Sequence, residues 1–393
     1  MLSVQFIVSG AFSIVPPVIP LILPALGVAF PADVRKWAGL LVGITPLAAA
    51  LMSPQWGRLS DRVDRRLIIL ISCGAASVCT TSMGFATTPA QLLALRFLMG
   101  LFGGHVAAGL AILSSAVPVD RLGGALGWLV TAQMAGTLLG PLAGGFFADT
   151  FGSYRAAFLL AGGAALLVGL AVALVPRTAL RTGVVAPLGE PAMAAVARHP
   201  KLRSLVFVLL LTQSAIMITQ PVISLHVREL VGARSDLATL AGLAFSVVGL
   251  SGLLAAPLLG IISDRIGRQR FLFLIVAAAT ACVFPQAYAT SYWWFVAERF
   301  LAGLFLCGVI PIVNSLVGSM LGEADRGRAF GWTSGAAFLG AFLGPVSGGI
   351  VGASFGLRSV FLASAAILVV NTFWTGVHLW PGHRSPTLRR RAS

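Results

Sequence analysis

"GRLSDRVDRR" at Gly57–Arg66 sets four arginines and two aspartates into ten residues, and "GIISDRIGRQR" at Gly260–Arg270 repeats its frame 203 residues later. The surrounding chain of 393 residues is 58% hydrophobic and 10% charged. A soluble domain carries about a quarter of its residues as charges, so this composition leaves too little polar material to cover a water-facing surface. Mean hydropathy is +0.94, and apolar runs of about 20 residues recur, long enough to cross a bilayer as helices. In lipid every backbone group needs an internal partner, which leaves helices or a closed barrel. The runs are continuous and rich in Leu, Ala and Gly, without the alternation of barrel strands. The sequence therefore predicts an all-α polytopic membrane protein.

Charges, prolines and loop glycines divide the chain into twelve spans. They lie near 2–26, 38–57, 67–86, 90–113, 124–149, 154–175, 204–227, 238–260, 271–290, 292–317, 328–353 and 357–379. The first span is too long for a signal-peptide core and no small-residue cleavage site follows it, so it is read as a retained helix. The net charge of +15 follows topology. When loops are assigned to alternate sides, 19 of the 27 Lys and Arg fall on the side of the termini and six on the other. Such an excess marks the cytoplasmic side, which places both termini and the 176–203 connector in the cytoplasm and leaves no case for nucleic acid. The basic tail "LRRR" at 388–391 suits contact with anionic membrane lipids.

The repeat extends well beyond the opening motif. "PVIPL" at 17–21 returns as "PVISL" at 221–225, and "RFLMGLF" at 96–102 as "RFLAGLF" at 299–305. "GW" at 127–128 returns at 331–332, and "LGPLAGG" at 139–145 as "LGPVSGG" at 343–349. Every offset is 203 or 204. With six spans on either side of the centre, the two copies enter the membrane in the same sense. The expected organisation is a six-helix bundle over 1–175, a cytoplasmic connector over 176–203, and a second six-helix bundle over 204–393 with a short basic tail. Parallel six-plus-six repeats are a transporter architecture whose substrate site lies near the midplane between the halves.

These residues carry a resemblance to a known family. The G-x-x-x-D-R-x-x-R-R loop after span two, the span-four arginine and the span-five G-P-x-x-G-G motif are together similar to the major facilitator superfamily. More narrowly, and over essentially the whole chain, they resemble the twelve-span drug:proton antiporters of bacterial multidrug efflux. The resemblance implies the major facilitator fold, a cytoplasmic-membrane location, alternating access, and export of amphipathic small molecules in exchange for protons. The alternatives are an exporter of a native metabolite such as a sugar or siderophore, and a non-transporting receptor or lipid-handling protein on the same scaffold.

Several residue groups carry these expectations. Gly57, Asp61, Arg62, Arg65 and Arg66, with Gly260, Asp264, Arg265 and Arg268 in the second copy, form the loop motif. Asp61 is suited to accept from backbone N–H groups at a helix start, and the arginines to bridge carboxylates such as Asp120. The resemblance makes the motif a brace for the cytoplasm-closed state; the plainer reading is a positive-inside loop. Where the family has a second glycine this chain has Asp64, whereas the second copy keeps Gly267, so the turn geometries are expected to differ.

Arg96 lies about two turns inside span four, where a charge points to function. The resemblance suggests proton coupling; snorkelling to the outer headgroups is the alternative. Arg299 repeats it beside Glu298, an acid placed to pair locally, and these three are the coupling candidates. Gly136, Gly140, Pro141, Gly144 and Gly145 on span five, repeated through Gly344 and Pro345 on span eleven, have the small-xxx-small spacing of close helix packing, a pattern the resemblance associates with exporters. Phe12, Gln133, Gln213, Gln220 and Asn314 are the candidates for a mainly apolar substrate cavity, Gln213 and Gln220 being seven apart and so on one helical face. His105 is read as a packing residue. The four cysteines have no metal or disulfide spacing, there is no G-x-x-x-x-G-K-[ST] phosphate loop, and no catalytic constellation is present. The expectation is a monomer that needs no cofactor or metal.

Overall fold

In a computed structural model, residues 2–103, 119–174, 200–320 and 323–380 are described, and among them regular structure is entirely helical. The helices are α1 Leu2–Ile22, α2 Pro31–Arg62, α3 Arg65–Met83, α4 Pro89–Leu101, α5 Val119–Thr150 and α6 Tyr154–Leu174. The second series starts with a broken span, α7, whose pieces are Pro200–Ile218 and Ile223–Val231. It continues with α8 Leu237–Ile266, α9 Arg268–Val283, α10 Tyr292–Met320, α11 Glu323–Phe355 and α12 Leu357–Leu379. Ten of these twelve elements hold windows long and apolar enough to cross a membrane. The other two are α4 and the 32-residue α5. Most of the connector, the tail after 380 and His105 lie outside the described residues.

Local chemistry sets the boundaries. Proline opens α2, α4 and α7 at a first-turn position, where its missing N–H goes unused. Thr88 and Gln91 close a reciprocal capping box at the start of α4: Thr88 Oγ1 accepts from Gln91 N, and Gln91 Oε1 accepts from Thr88 N, both at 3.3 Å. The two copies of the charged loop turn differently, as expected from the Asp64/Gly267 departure. In the first, Asp64 sits at φ −53° and caps α3, its Oδ1 accepting from Arg66 N at 2.9 Å. In the second, one residue joins α8 to α9, and that residue is Gly267 at φ +94°, a conformation that glycine alone adopts readily.

The packing obeys the internal repeat. Within the first six helices α1 lies along α5, α2 along α4, and α3 along α6; within the last six the pairs are α7–α11, α8–α10 and α9–α12. Two further pairs, α5–α8 and α2–α11, join the two series. Adjacent glycines on α5 and α11 serve both kinds of seam. A Cβ on Gly144 would stand 2.7 Å from Ile14 Cγ2 of α1, and one on Gly145 would stand 2.8 Å from Thr239 Cα of α8. In the second copy Gly348 abuts Ile218 of α7, while Gly349 abuts Gly39 of α2, with a Cβ 3.0 Å from its Cα. Backbones approach so closely only without side chains, and contact of this kind holds helices together where lipid supplies no hydrophobic drive. Adding a methyl at such a point forces the helices apart at about 1–3 kcal/mol.

Candidate functional site: a cavity between the two halves

The seams between the halves converge on one end of the bundle. Among the described residues, the polar contacts from one half to the other lie at the end opposite the termini. Ser224 Oγ donates to Pro17 O. Arg35 Nη1, in the first turn of α2, donates at 3.0 Å to Gly352 O in the last turn of α11. At the α5–α8 seam the polarity is reversed. Asp149, at the end of α5, accepts from Ala238 N at 3.1 Å, Thr239 N at 2.7 Å and Thr239 Oγ1 at 2.6 Å. Asp236, which occupies the cap position of α8, makes no side-chain cap bond; it pairs with Arg234 instead. The cap of α8 thus comes from the other half of the chain. Toward the terminal end, by contrast, a Cβ placed on Gly127 of α5 or on Gly331 or Gly335 of α11 would meet no other helix within 4 Å among the described residues.

Beneath the closed end lies a cavity of about 540 Å³. Its wall draws on α1, α2, α4, α5 and on α7 to α12. Phe12, Met99, Met134, Phe245 and Leu306 make it largely apolar, while Thr45, Thr137, Gln220 and Gln286 supply scattered polar groups. The wall also carries two arginines, Arg96 and Arg299, one from each half.

Arg96 is 4% exposed, and Nε and Nη1 of its guanidinium have no hydrogen-bond partner. Its place on the cavity wall, with so little surface exposed, replaces the snorkelling alternative: the side chain turns inward. Its backbone is tied to α2 through Thr45 Oγ1, which donates to Arg96 O at 3.1 Å. Arg299 is buried as well, but Nε donates to Ala244 O of α8 at 2.7 Å, and its guanidinium carbon lies 5.8 Å from the centre of the Phe295 ring.

Glu298 does not pair with Arg299. Consecutive helical residues point about 100° apart, so Glu298 leaves the cavity face. Its Oε1 accepts from Trp294 Nε1, and Oε2 has no partner.

Of the cavity candidates, Phe12 and Gln220 lie on the wall, whereas Gln133, Gln213 and Asn314 are not among its lining residues. Gln133 is exposed on α5, and Gln213 packs at Gly340 of α11, where a glycine Cβ would be 2.9 Å from its own. The shared face expected for Gln213 and Gln220 is lost because α7 stops at Ile218 and resumes at Ile223. Pro221 supplies the reason: it has no N–H and disfavours helix in the residue before it. That break displays Met217, Thr219 and Gln220 to the cavity.

In the loop motif, the side chains of Asp61, Arg62 and Arg65 and the partner acid Asp120 lie outside the described residues, as does the packing of Gly57. The backbone nevertheless places Asp61 in the last turn of α2, so the acid that caps the following helix start is Asp64. Arg66 reaches a main-chain carbonyl, Ala173 O at the end of α6, where a cation suits the helix C-terminus. Gly260 and Arg265 are exposed, and Arg268 pairs with Asp264 at 3.1 Å on the same side of the bundle. The described contacts of this motif therefore stay within one half of the molecule: Asp64–Arg66 and Asp264–Arg268 are local, and Arg66 reaches α6 of its own half. No group of His, Cys, Asp and Glu suited to a metal occurs among the described residues.

The sequence profile of the Major Facilitator Superfamily matches residues 1–284 and 205–392. The Multidrug resistance protein MdtG of Proteus mirabilis (strain HI4320) is 32% identical over 391 residues, covering 97% of this chain and 94% of its own. That of Dickeya zeae (strain Ech586) is 33% identical over 378 residues, covering 95% and 92%. Among solved structures, a bacterial homologue of the human lysosomal transporter Spinster, in an inward-facing and occupied conformation, superposes with a TM-score of 0.78. It is 16% identical and covers 97% of this chain and 96% of its own. The nucleoside transporter NupG superposes with a TM-score of 0.79 at 12% identity, covering 96% and 99%. The duplicated helix pairs, the cavity between them and these matches over nearly the full length lead to one conclusion: the chain is a multi-pass membrane protein belonging to the Major Facilitator Superfamily.

Proposed function

We propose that the chain exports amphipathic small molecules across the cytoplasmic membrane in exchange for protons, acting as a monomer with both termini in the cytoplasm. The observation that carries this reading is a mainly apolar cavity sealed at the end opposite the termini by two glycine-lined seams. On the charge distribution, the sealed end is the outer one, so the cavity is approached from the cytoplasm. Bundles 1–175 and 204–393 then move against each other, the α5–α8 and α2–α11 seams parting as the terminal ends close. The similarity to proteins named for multidrug resistance supports the substrate range. The loop residues Gly57, Asp61, Arg62, Arg65 and Arg66, with Gly260, Asp264, Arg265 and Arg268, take the role of a brace for the cytoplasm-closed state. The contacts of Arg66, Asp264 and Arg268 described above, each within its own half, are those of a brace at rest.

Arg96, Arg299 and Glu298 stand as coupling residues within this reading, and Asp149 joins them as an acid at a seam that must open. The chain acts without a cofactor or metal and catalyses no bond change. Export of a sugar or siderophore is less favoured, because such ligands need many polar partners and this wall has few.

Everted membrane vesicles from cells producing the protein test the reading. A fluorescent amphipathic compound should accumulate in them in a pH-gradient-dependent manner, and a protonophore should abolish the uptake. Uptake that persists with the protonophore removes the antiport step. Failure with every amphipath, alongside uptake of a polar metabolite or ligand binding without movement, removes the export of amphipaths.

A further inference from the structure

The charge of the cavity wall is one-sided. Arg96 and Arg299 both line it, and no Asp or Glu does, among the described residues. The stretch 104–118, which follows in the sequence and lies outside the described residues, contains no Asp or Glu either. Of the acids discussed above, Glu298 turns to Trp294 and Asp149 is engaged with the start of α8. A guanidinium held away from water is costly unless something pairs with it. Arg299 recovers part of that cost from the Ala244 carbonyl and the Phe295 ring face. Arg96 recovers none through Nε and Nη1, which are buried and unpartnered. Orphaned donors of this kind in a native site call for an explanation, and the planar fork of arginine is shaped to receive a carboxylate or sulfonate through paired hydrogen bonds.

We infer that the cavity is an anion site: its ligand is an amphipathic organic anion whose acid group is received by Arg96, with Arg299 on the facing half contributing the second positive charge, and whose apolar body lies against Phe12, Met99, Met134 and Phe245. This rests on the cavity being the transport site, and it narrows the substrate class within that reading. The two arginines are not equivalent. Arg299 is partly satisfied by the protein, so Arg96 carries the larger share of the recognition. A lipophilic cation of the same size fits the space but meets two like charges without a counter-ion.

Binding to the purified full-length protein in nanodiscs of zwitterionic lipid separates this inference from the transport reading, because no movement of ligand is needed. Equilibrium dialysis would compare three radiolabelled probes with one ring system: 2-naphthalenesulfonate, the neutral 2-naphthalenesulfonamide and a trimethyl(naphthyl)ammonium. The sulfonate should bind tightest of the three. Arg96→Gln should weaken sulfonate binding by roughly 10- to 100-fold, the worth of a hydrogen bond to a charged group, and leave the sulfonamide nearly unchanged. Arg96→Lys should keep the sulfonate ahead of the ammonium, and Arg299→Gln should weaken the sulfonate by less than Arg96→Gln. The inference is overturned if the ammonium binds as tightly as the sulfonate, or if Arg96→Gln leaves sulfonate affinity intact. It also fails if Arg96→Gln weakens all three probes equally, which is the mark of a packing role. Should Arg96→Gln not fold, the ranking on the unaltered protein decides alone. A protein that binds the sulfonate but does not transport it would leave the anion site standing and remove the export function.

Discussion

Replacing Asp149 by alanine tests the trans-acting cap most directly. The carboxylate accepts three hydrogen bonds from α8, at 3.1, 2.7 and 2.6 Å, two of them from amides in the first turn. Asp236 does not supply the cap, so in the sealed state nothing else in the described structure replaces it. Loss of an N-terminal cap costs about 0.5–2 kcal/mol, and loss of an anion at the helix dipole about 0.3–1 kcal/mol. When the seam opens, water satisfies the freed amides, so the variant is penalised in the sealed state alone. A net bias of about 2 kcal/mol shifts the ratio of sealed to open molecules by roughly 30-fold. Asp149→Asn keeps one acceptor oxygen and should shift the ratio by roughly 5-fold, for about 1 kcal/mol. Spin labels at Phe151→Cys and Ala233→Cys, two exposed positions flanking the α5–α8 seam, report the change by double electron–electron resonance in a cysteine-free background. The alanine variant should show a new population at longer distance. A distribution that superposes on that of the unaltered protein, at matched abundance, would refute the argument that Asp149 holds the outer end shut.

Other expectations follow from orientation, from the cavity and from the charged loops. Cysteine introduced at Arg234 should react with a membrane-impermeant reagent from outside, and one at Val185 should not; the reverse would invert every loop. Gln220→Leu should reorder the compounds exported, whereas Gln213→Leu, away from the cavity wall, should leave the order unchanged and alter membrane abundance instead. Asp61→Asn should insert normally and lose most transport, and wild-type rates would reduce the loop to a charge tag. Asp64→Gly should cost only a few tenths of a kcal/mol, since glycine is tolerated at a helix cap, and transport at matched abundance should stay near normal.

The large-scale architecture could be read from residues because it follows from solvent. A bilayer dictates span length, and a repeat with constant offset dictates the pairing of α1 with α5 and of α7 with α11. Arg96 and Arg299 were visible for the same reason, charges being conspicuous where lipid makes them expensive. Orientation was not visible: spacing from a helix end locates Arg96 along the membrane normal but not around the bundle, and it is the rotation that sets it on the cavity wall. The break in α7 had a signal in Pro221, masked by its counterpart. "PVIPL" in the first copy stays helical to Ile22 while "PVISL" interrupts, so the duplicated motif argued for sameness where the backbone differs. Asp149 was legible only as an acid near an end. Its partners come from a helix 89 and 90 residues further along the chain, and no local pattern announces a cap delivered across an interface.

The neighbouring glycines of α5 and α11 have a consequence for the genetics of this protein. Gly144 and Gly348 face helices of their own bundle, contacts that persist through any motion of one bundle against the other. Gly145 and Gly349 face the opposite bundle, at seams that come apart in every cycle of the function proposed above. One step along the chain therefore separates two phenotypes. A side chain added at the first residue of each pair should lower the amount of folded protein; the same side chain at the second should leave the amount nearly intact and trap the carrier with its outer end ajar. A saturation library scored separately for abundance and for resistance would show the two scores parting between adjacent codons, twice, about 200 residues apart.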